Sequence, residues 1–195
     1  MLKFIALAFF KLNGWRIEGH MPPEINQCVL VAAPHTSNYD LLYAMATFYQ
    51  LKIPARYLIK KECAHFFLLK RMFKNSGALG VNRSKSSTMV DTLAELFNKS
   101  NDDLFLMVAP EGTRKLNQKW KTGFYYTALK AKVPIVLSSL DYKKKVAAIG
   151  PIIIPTGCFK TDMQIAKDYY KNITPKFPAK FGLDIYDLEE STCTG

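Results

Sequence analysis

The segment DLFLMVA, at residues 103–109, predicts the centre of the fold. After its first residue it is apolar throughout, which is typical of a parallel strand covered by helices on both faces. Residues 28–33, CVLVAA, have the same character. Amphipathic segments of helical length alternate with such apolar runs, which is typical of α/β architecture. The sequence therefore predicts a single α/β domain whose mixed, mostly parallel central sheet is flanked by helices.

Further strands and helices are predicted on either side of these two strands. The strands are residues 55–59, 78–81 and 134–140, with a pair at a sheet edge, 145–149 and 151–154. The helices are residues 41–51, 64–74, 88–99, 122–132 and 162–171. Residues 1–15 predict a short amphipathic segment that lies on a surface, either of a membrane or of the protein itself. Because no repeat, low-complexity tract or linker occurs, we expect one domain over residues 1–195.

The composition excludes several classes of protein. Hydrophobic residues make up 49% of the 195-residue chain and charged residues 22%, which excludes a disordered or fibrous protein. The four cysteines are scattered, without a CxxC pair or a Cys/His cluster, so we expect neither a disulfide framework nor a metal site. A reducing, cytoplasmic setting follows as the default. No apolar run approaches the roughly 18 residues of a spanning helix, so we expect no transmembrane helix.

The chain carries a large excess of positive charge. Lys and Arg number 27 against 16 for Asp and Glu, which gives a net charge of +11. Such an excess attracts nucleic acid, anionic lipid headgroups or phosphorylated small molecules, although surface lysines can also serve solubility alone. No block of five consecutive cations, no arginine cluster and no RNP-like aromatic motif occurs. We therefore expect no nucleic-acid partner.

A histidine follows the first buried strand. His35 lies in the segment PHTSNYD, and Asp40 lies five residues later, near the start of the next helix. A loop of this length can fold back so that the carboxylate meets one imidazole nitrogen, which leaves the other nitrogen as a base. The alternative is that Asp40 caps the helix and that His35 is merely exposed.

Two further loops place an arginine after a predicted strand. In the first, APEGTR at residues 109–114, Gly112 permits close approach of a ligand to the backbone, and the planar fork of Arg114 suits a phosphate. In the second, residues 77–83 lead from a glycine to Arg83. The alternatives are an ordinary turn with a surface ion pair between Glu111 and Arg114, and a solvated basic loop around Arg83.

Taken together, these segments resemble the glycerolipid acyltransferase superfamily, which includes lysophosphatidate and glycerol-3-phosphate acyltransferases. His35 and Asp40 match its HxxxxD motif, and residues 110–114 match its PEGTR block without substitution. Residues 77–83 are similar to its second block, residues 133–136 to its proline-led fourth block, and residues 57–62 to its lysine-bearing strand. The resemblance covers a motif-bearing core of about residues 29–142.

The resemblance implies a glycerol-3-phosphate acyltransferase-like fold and an O-acyltransferase activity. The implied reaction moves a fatty acyl group from an acyl thioester, acyl-CoA or acyl-carrier protein, to a hydroxyl of a phosphate-bearing glycerolipid such as lysophosphatidate. His35 is then the general base and Asp40 its orienting partner, and no acyl-enzyme, cofactor or metal is expected. The implied substrate-binding residues are Lys60, Arg83, Glu111, Gly112, Thr113 and Arg114.

The expected roles within this set differ. Arg83 and Arg114 are expected to bind the acceptor phosphate, with Lys60 as a further candidate. Glu111 is expected to orient Arg114 or a glycerol hydroxyl. Backbone N–H groups of residues 111–113 are expected to stabilise the tetrahedral oxyanion.

A lipid substrate also implies a membrane. Because a substrate carries an acyl chain, we expect the site to open toward an anionic bilayer, with the basic, aromatic helix at residues 64–74 at its surface. Core packing is the alternative for the phenylalanines of that helix. We expect a cytoplasmic enzyme that associates peripherally with the membrane. The alternative functions are the same chemistry on another lysolipid or an aminolipid, and a non-catalytic basic lipid-binding module.

Overall fold

The computed structural model describes residues 2–60, 77–81 and 86–183. Its helices are α1 (Leu2–Leu12), α2 (Tyr39–Gln50), α3 (Ser86–Lys99), α4 (Gly123–Ala131) and α5 (Phe159–Tyr170), followed by a 3-10 turn (Pro178–Lys180). Its strands are β1 (Arg16–Glu18), β2 (Gln27–Ala32), β3 (Ala55–Lys60), β4 (Ala78–Val81), β5 (Leu104–Val108), β6 (Ile135–Asp141) and β7 (Val146–Ile153). The helix predicted at residues 64–74 lies outside the described residues. The other predicted helices are confirmed, with ends that shift by a few residues.

The strands form one seven-stranded sheet in the order β1-β7-β6-β2-β5-β3-β4. Every neighbouring pair is parallel except β6 and β7, which are antiparallel. The predicted mixed, mostly parallel sheet is therefore confirmed. β2 occupies the middle, and Val31 of β2 pairs with Val108 of β5, so the loops that follow these two strands leave the sheet at the same edge.

Helices cover both faces of the sheet, which explains the unbroken apolar runs of its inner strands. On one face, Val29 and Val31 of β2 pack with residues of α3, α4 and α5. On the other face, Cys28 and Leu30 pack with Phe48 of α2. Because consecutive side chains of a strand point to opposite faces, a strand covered on both sides needs apolar residues at every position.

The N-terminal helix α1 is amphipathic, as predicted, and one side of it lies against the protein. Ala6 and Phe10 are buried in a cluster with Tyr43 of α2. On the opposite side, Phe4 and Leu12 are exposed. Within the described residues, no helix combines the length and the apolar character that crossing a bilayer requires.

One end of the sheet differs from the prediction. Residues 145–149 and 151–154 are predicted as two strands at an edge, but a single strand, β7, runs through Pro151. The proline is tolerated because the register between β6 and β7 shifts at this point, between Val136 and Ser138, so the missing N–H interrupts no regular ladder. Strand β1 has only three residues and is too short to show a pattern. It pairs with the first half of β7 and forms one edge of the sheet.

The cysteines also differ from the prediction. Cys28 is free and buried, and burial raises the pKa of its thiol to about 12. Cys158, just before α5, is disulfide-bonded. The expectation of no disulfide is therefore wrong at Cys158, because wide spacing along the chain does not show which thiols the fold brings together.

Candidate active site

The predicted site residues that the structure describes lie at the carboxyl end of the parallel strands. The loop after β2 carries His35, and the loop after β5 carries Arg114. Since β2 and β5 are parallel neighbours, both loops lie at the edge where α/β folds place their sites. Lys60 is the last residue of β3, which runs parallel to β5 and ends at this same edge. Arg83, two residues beyond β4, lies outside the part of the chain that the structure describes.

His35 and Asp40 are in direct contact. The imidazole Nδ1 of His35 lies 3.2 Å from Oδ2 of Asp40, with the His35 side chain 28% exposed and the Asp40 side chain 6% exposed. This contact favours the neutral tautomer that carries its proton on Nδ1 and leaves a lone pair on Nε2. The half-buried ring can therefore accept a proton from a ligand while the carboxylate stabilises the resulting charge.

Three further hydrogen bonds hold the Asp40 carboxylate. Oδ2 accepts the backbone N–H groups of Thr36, at 2.9 Å, and Ser37, at 2.8 Å. Oδ1 accepts the hydroxyl of Tyr142, at 2.5 Å. These donors compensate the burial of a carboxylate in the first turn of α2. Asp40 thus joins the loop after β2 to the turn between β6 and β7.

Glu111 joins the loop after β5 to the loop after β2. Its Oε1 accepts the backbone N–H of His35 at 2.9 Å. The side chain is buried, Oε2 has no hydrogen-bond partner among the residues that the structure describes, and burial raises the pKa of the Glu111 carboxyl above its usual range. The Glu111 carboxylate therefore accepts a hydrogen bond from the His35 backbone and forms no ion pair with Arg114. The surface ion pair between Glu111 and Arg114, considered above as an alternative, is not formed.

Arg114 reaches back across the two loops. Its Nη1 donates a hydrogen bond to Oδ1 of Asn38, which lies between His35 and Asp40 in the chain. Arg114 is an exposed residue, and since a guanidinium carries five N–H donors, donors remain for an anion. Arg114 is therefore positioned beside the His35 loop, and its free face can bind a phosphate.

Gly112 is required by the shape of the turn after β5. Its φ is +67°, in the left-handed region that favours glycine, and a Cβ there would lie 2.8 Å from Cε of Lys121. The backbone N–H of Gly112 donates to the carbonyl of Ala109 at 3.1 Å. The turn is thus closed by its own hydrogen bond, and the lysine passes directly over it.

A single cavity of about 1410 Å³ connects these residues. Its polar part is lined by His35, Asp40, Asn38, Gly112, Thr113 and Arg114. Deeper in the protein, the lining is mostly apolar and includes Leu93, Leu106 and Phe124. A cavity of this size, lined both by charged and polar groups and by apolar side chains, suits a ligand that has a charged head and a long hydrocarbon chain.

The sequence reasoning missed four residues of this site. Lys115, Lys119 and Lys121 line the same cavity as Arg114, so the cation cluster is larger than one arginine. Their closeness to the PEGTR block along the chain was a signal that could have found them. Tyr142 had no such signal, because 102 residues separate it from Asp40. Within the described residues, no three His, Cys, Asp or Glu side chains could together hold a metal ion.

Comparisons with known proteins find a matching family and a relative. Residues 16–139 match the family model described as Acyltransferase. The chain is 30% identical, over 170 residues, to human 1-acyl-sn-glycerol-3-phosphate acyltransferase beta, an alignment that covers 79% of this chain and 59% of that protein. The chain thus spans about three fifths of the length of this curated relative.

A solved structure has the same fold. The crystal structure of the 1-acyl-sn-glycerophosphate (LPA) acyltransferase PlsC from Thermotoga maritima superposes with a TM-score of 0.55 at 16% sequence identity. The superposition covers 87% of this chain and 73% of that one. The match over residues 16–139, nearly two thirds of the sequence, leads to one conclusion: the chain belongs to the acyltransferase family.

Proposed function

We propose that the protein transfers an acyl group from an acyl thioester, acyl-CoA or acyl-carrier protein, to a hydroxyl of a phosphate-bearing lysolipid such as lysophosphatidate. The observation that carries this proposal is the 3.2 Å contact between His35 Nδ1 and Asp40 Oδ2 in a cavity that Arg114 also lines. The name of the human relative, which specifies a 1-acyl-sn-glycerol-3-phosphate acyltransferase, supports this class of acceptor.

In the proposed reaction, His35 is the general base. Its Nε2 takes the proton of the acceptor hydroxyl while that oxygen attacks the thioester carbonyl carbon. The tetrahedral intermediate then collapses, the C–S bond breaks, and the imidazolium returns the proton to the leaving thiolate. Asp40 stabilises the imidazolium, and a base positioned in this way contributes about 10²–10⁴-fold to the rate.

The cations at the cavity are proposed to bind the acceptor phosphate. Arg114 offers a two-pronged contact, and Lys115, Lys119 and Lys121 add point charges around it. Lys60 and Arg83 are proposed as further ligands, from the ends of β3 and β4. In the turn after β5, the Gly112 N–H is already used by Ala109, so we propose the N–H of Thr113 as an oxyanion donor.

The direct test is thiol release from acyl-CoA, and separately from acyl-carrier protein, with and without lysophosphatidate. We expect release that depends on the acceptor and that disappears in His35→Ala. His20→Ala is the matched control, because His20 is exposed and lies outside the cavity. Full activity in His35→Ala would remove the mechanism. Activity only with another lysolipid or an aminolipid would move the proposal to that acceptor, and binding without turnover would favour a lipid-binding module.

We also propose that the protein works at an anionic bilayer. The exposed side of α1 combines the apolar residues Phe4 and Leu12 with Lys11. This is the combination by which an amphipathic helix binds the interface of an anionic membrane.

This surface continues to the site. The ring of Phe9 on α1 lies 6.1 Å from that of Tyr39, at the start of α2. Lys176 then places its Nζ 3.5 Å from the centroid of the Tyr39 ring. Since Tyr39 adjoins Asp40 in the chain, a bilayer on this surface would lie close to the cavity that His35 lines.

Vesicle flotation tests the membrane proposal. We expect binding to vesicles that contain phosphatidylglycerol, weakened by salt and by the double substitution Phe4→Ser and Leu12→Ser. Ile165→Ser is the matched control, because Ile165 is an exposed apolar residue of α5, which packs on the other face of the sheet. Failure to float at low salt, or equal losses in both variants, would contradict the proposed surface.

A further inference from the structure

Tyr142 connects the Asp40 carboxylate to a distant part of the chain. It follows β6, and its hydroxyl donates to Oδ1 of Asp40 at 2.5 Å, the shortest of the three hydrogen bonds to this carboxylate described above. His35 contacts the other oxygen, Oδ2. One carboxylate oxygen is therefore held by the phenol, and the other by the imidazole and the loop backbone.

The phenol is itself fixed by packing and by a backbone bond. Its ring makes edge-to-face contacts with Trp15, at 5.0 Å between centroids, and with Tyr43, at 5.7 Å. Its backbone N–H donates to the carbonyl of Thr174 at 2.8 Å. A donor with so little freedom fixes the position of its acceptor, because moving the carboxylate would break the bond.

The same C-terminal segment also holds the histidine loop. Phe177 donates its backbone N–H to Oγ1 of Thr36 at 3.3 Å, and Thr36 in turn donates its own N–H to Asp40. Tyr142 and the loop after β2 are thus fastened to one segment, residues 174–177. Several contacts therefore fix the orientation of the Asp40 carboxylate toward His35, and no single one of them does so alone.

From this geometry we infer that Tyr142 is a positioning residue for the acyl transfer proposed above: its hydroxyl fixes the Asp40 carboxylate against His35 and moderates the negative charge that the imidazole meets. The inference rests on the proposed function. Burial and the hydrogen bond to Asp40 raise the pKa of Tyr142 far above its usual range, so the hydroxyl stays a neutral donor at every working pH.

The test is Tyr142→Phe, which removes the hydroxyl and keeps the ring that packs on Trp15 and Tyr43. We expect kcat to fall by about 10-fold, the effect of one hydrogen bond to a charged group, with little change in the KM for either substrate. A carboxylate with fewer donors holds a proton more tightly and attracts an imidazolium more strongly. Both effects move the acidic limb of the kcat/KM profile to higher pH.

Other groups that face the pair stay unchanged in this variant. They are Glu111, from the loop after β5, Arg114, in the same cavity, Tyr43 on α2, and Lys176, whose Nζ lies 6.0 Å from the Tyr142 ring. A shift of the acidic limb can therefore be assigned to the loss of the phenol.

The matched control is Tyr125→Phe. The hydroxyl of Tyr125 donates to Oδ2 of the buried Asp162 at 2.7 Å, the same type of bond in a place that does not line the cavity. Thermal unfolding of both variants measures the structural effect of losing a phenol–carboxylate bond. We expect at least as large a loss of stability in Tyr125→Phe, whose hydroxyl also accepts the Gly157 N–H at 3.1 Å, but an altered pH profile only in Tyr142→Phe.

A double-mutant cycle tests whether Tyr142 acts through Asp40. In the Asp40→Ala background we expect Tyr142→Phe to change the residual rate less than about 2-fold, because the acceptor is gone. Equal pH profiles in wild type and Tyr142→Phe, or additive losses in the cycle, would overturn the inference while leaving the acyl transfer intact. A wild-type protein with no acyltransferase activity would instead contradict the proposed function.

Discussion

The hydrogen bond between Glu111 and the His35 backbone leads to a prediction about both stability and rate. Glu111→Ala removes the acceptor of the His35 N–H, which lies 2.9 Å from Oε1, and deletes one buried methylene. Leaving a buried donor unpaired costs about 1–3 kcal/mol. Losing the methylene adds about 0.8 kcal/mol. We expect the free energy of unfolding to fall by about 2–4 kcal/mol at acidic pH.

The size of this loss depends on pH, and its sign follows from the raised pKa of Glu111. Burial makes the folded protein hold the Glu111 proton more tightly than the unfolded chain does, so the wild type loses stability as the pH rises above about 4.5, the ordinary value of the carboxyl. An alanine has no proton to lose. The stability difference between wild type and Glu111→Ala is therefore largest below about pH 4.5 and smaller at pH 7.

The matched variant is Glu111→Gln, which keeps a carbonyl oxygen for the His35 N–H but cannot ionise. We expect nearly wild-type kcat in Glu111→Gln and a loss of up to about 100-fold in Glu111→Ala, because misplacing a catalytic group by about 1 Å has an effect of that size. Urea unfolding can be followed by the fluorescence of Trp15 and Trp120, which are both buried. Equal losses of kcat in the two variants would show that the charge matters rather than the acceptor, and would refute the positional argument.

Three further outcomes follow from the site. Asp40→Asn should lower kcat by at least about 100-fold, with a normal far-UV spectrum, since the amide cannot stabilise an imidazolium; an active variant would contradict the role of Asp40. Arg114→Ala should raise the KM for the phosphate-bearing acceptor more than it lowers kcat, which steady-state kinetics with a neutral lysolipid as the control can separate. Gly112→Ala should lower the free energy of unfolding by about 1–2 kcal/mol, because φ is +67° and the new Cβ meets Lys121; an unchanged melting curve would contradict that strain.

The inner strands and the two motif loops could be predicted because their causes are local. β5 is apolar at every position, and so is β2 after its first residue, Gln27, which is the pattern of a parallel strand covered on both faces. The closeness of His35 and Asp40 follows from a loop of four residues between them. The convergence of this loop with the PEGTR loop follows from the parallel pairing of their strands.

The remaining features arise from contacts between distant parts of the chain. Tyr142 reaches Asp40 only because β6 lies beside β2 in the sheet, which no local pattern reveals. Pro151 suggested a break between two strands, but the register shift in β6 absorbs it. The short strand β1 depends on its neighbour β7 rather than on its own three residues. Glu111 looked like a surface partner of Arg114 because they are close in sequence, whereas burial turned it toward the histidine backbone.

The bonds of residues 174–177 affect where a working fragment of this protein can end. The family match ends at residue 139, and all the sequence motifs described above lie before that residue. A fragment trimmed there would lose Tyr142, the Thr174 carbonyl that receives its N–H, and the Phe177 N–H that holds Thr36. Such a truncated protein would keep the sequence motifs of the family, but its histidine loop would be held less firmly. A fragment made for expression should therefore extend at least through residue 177.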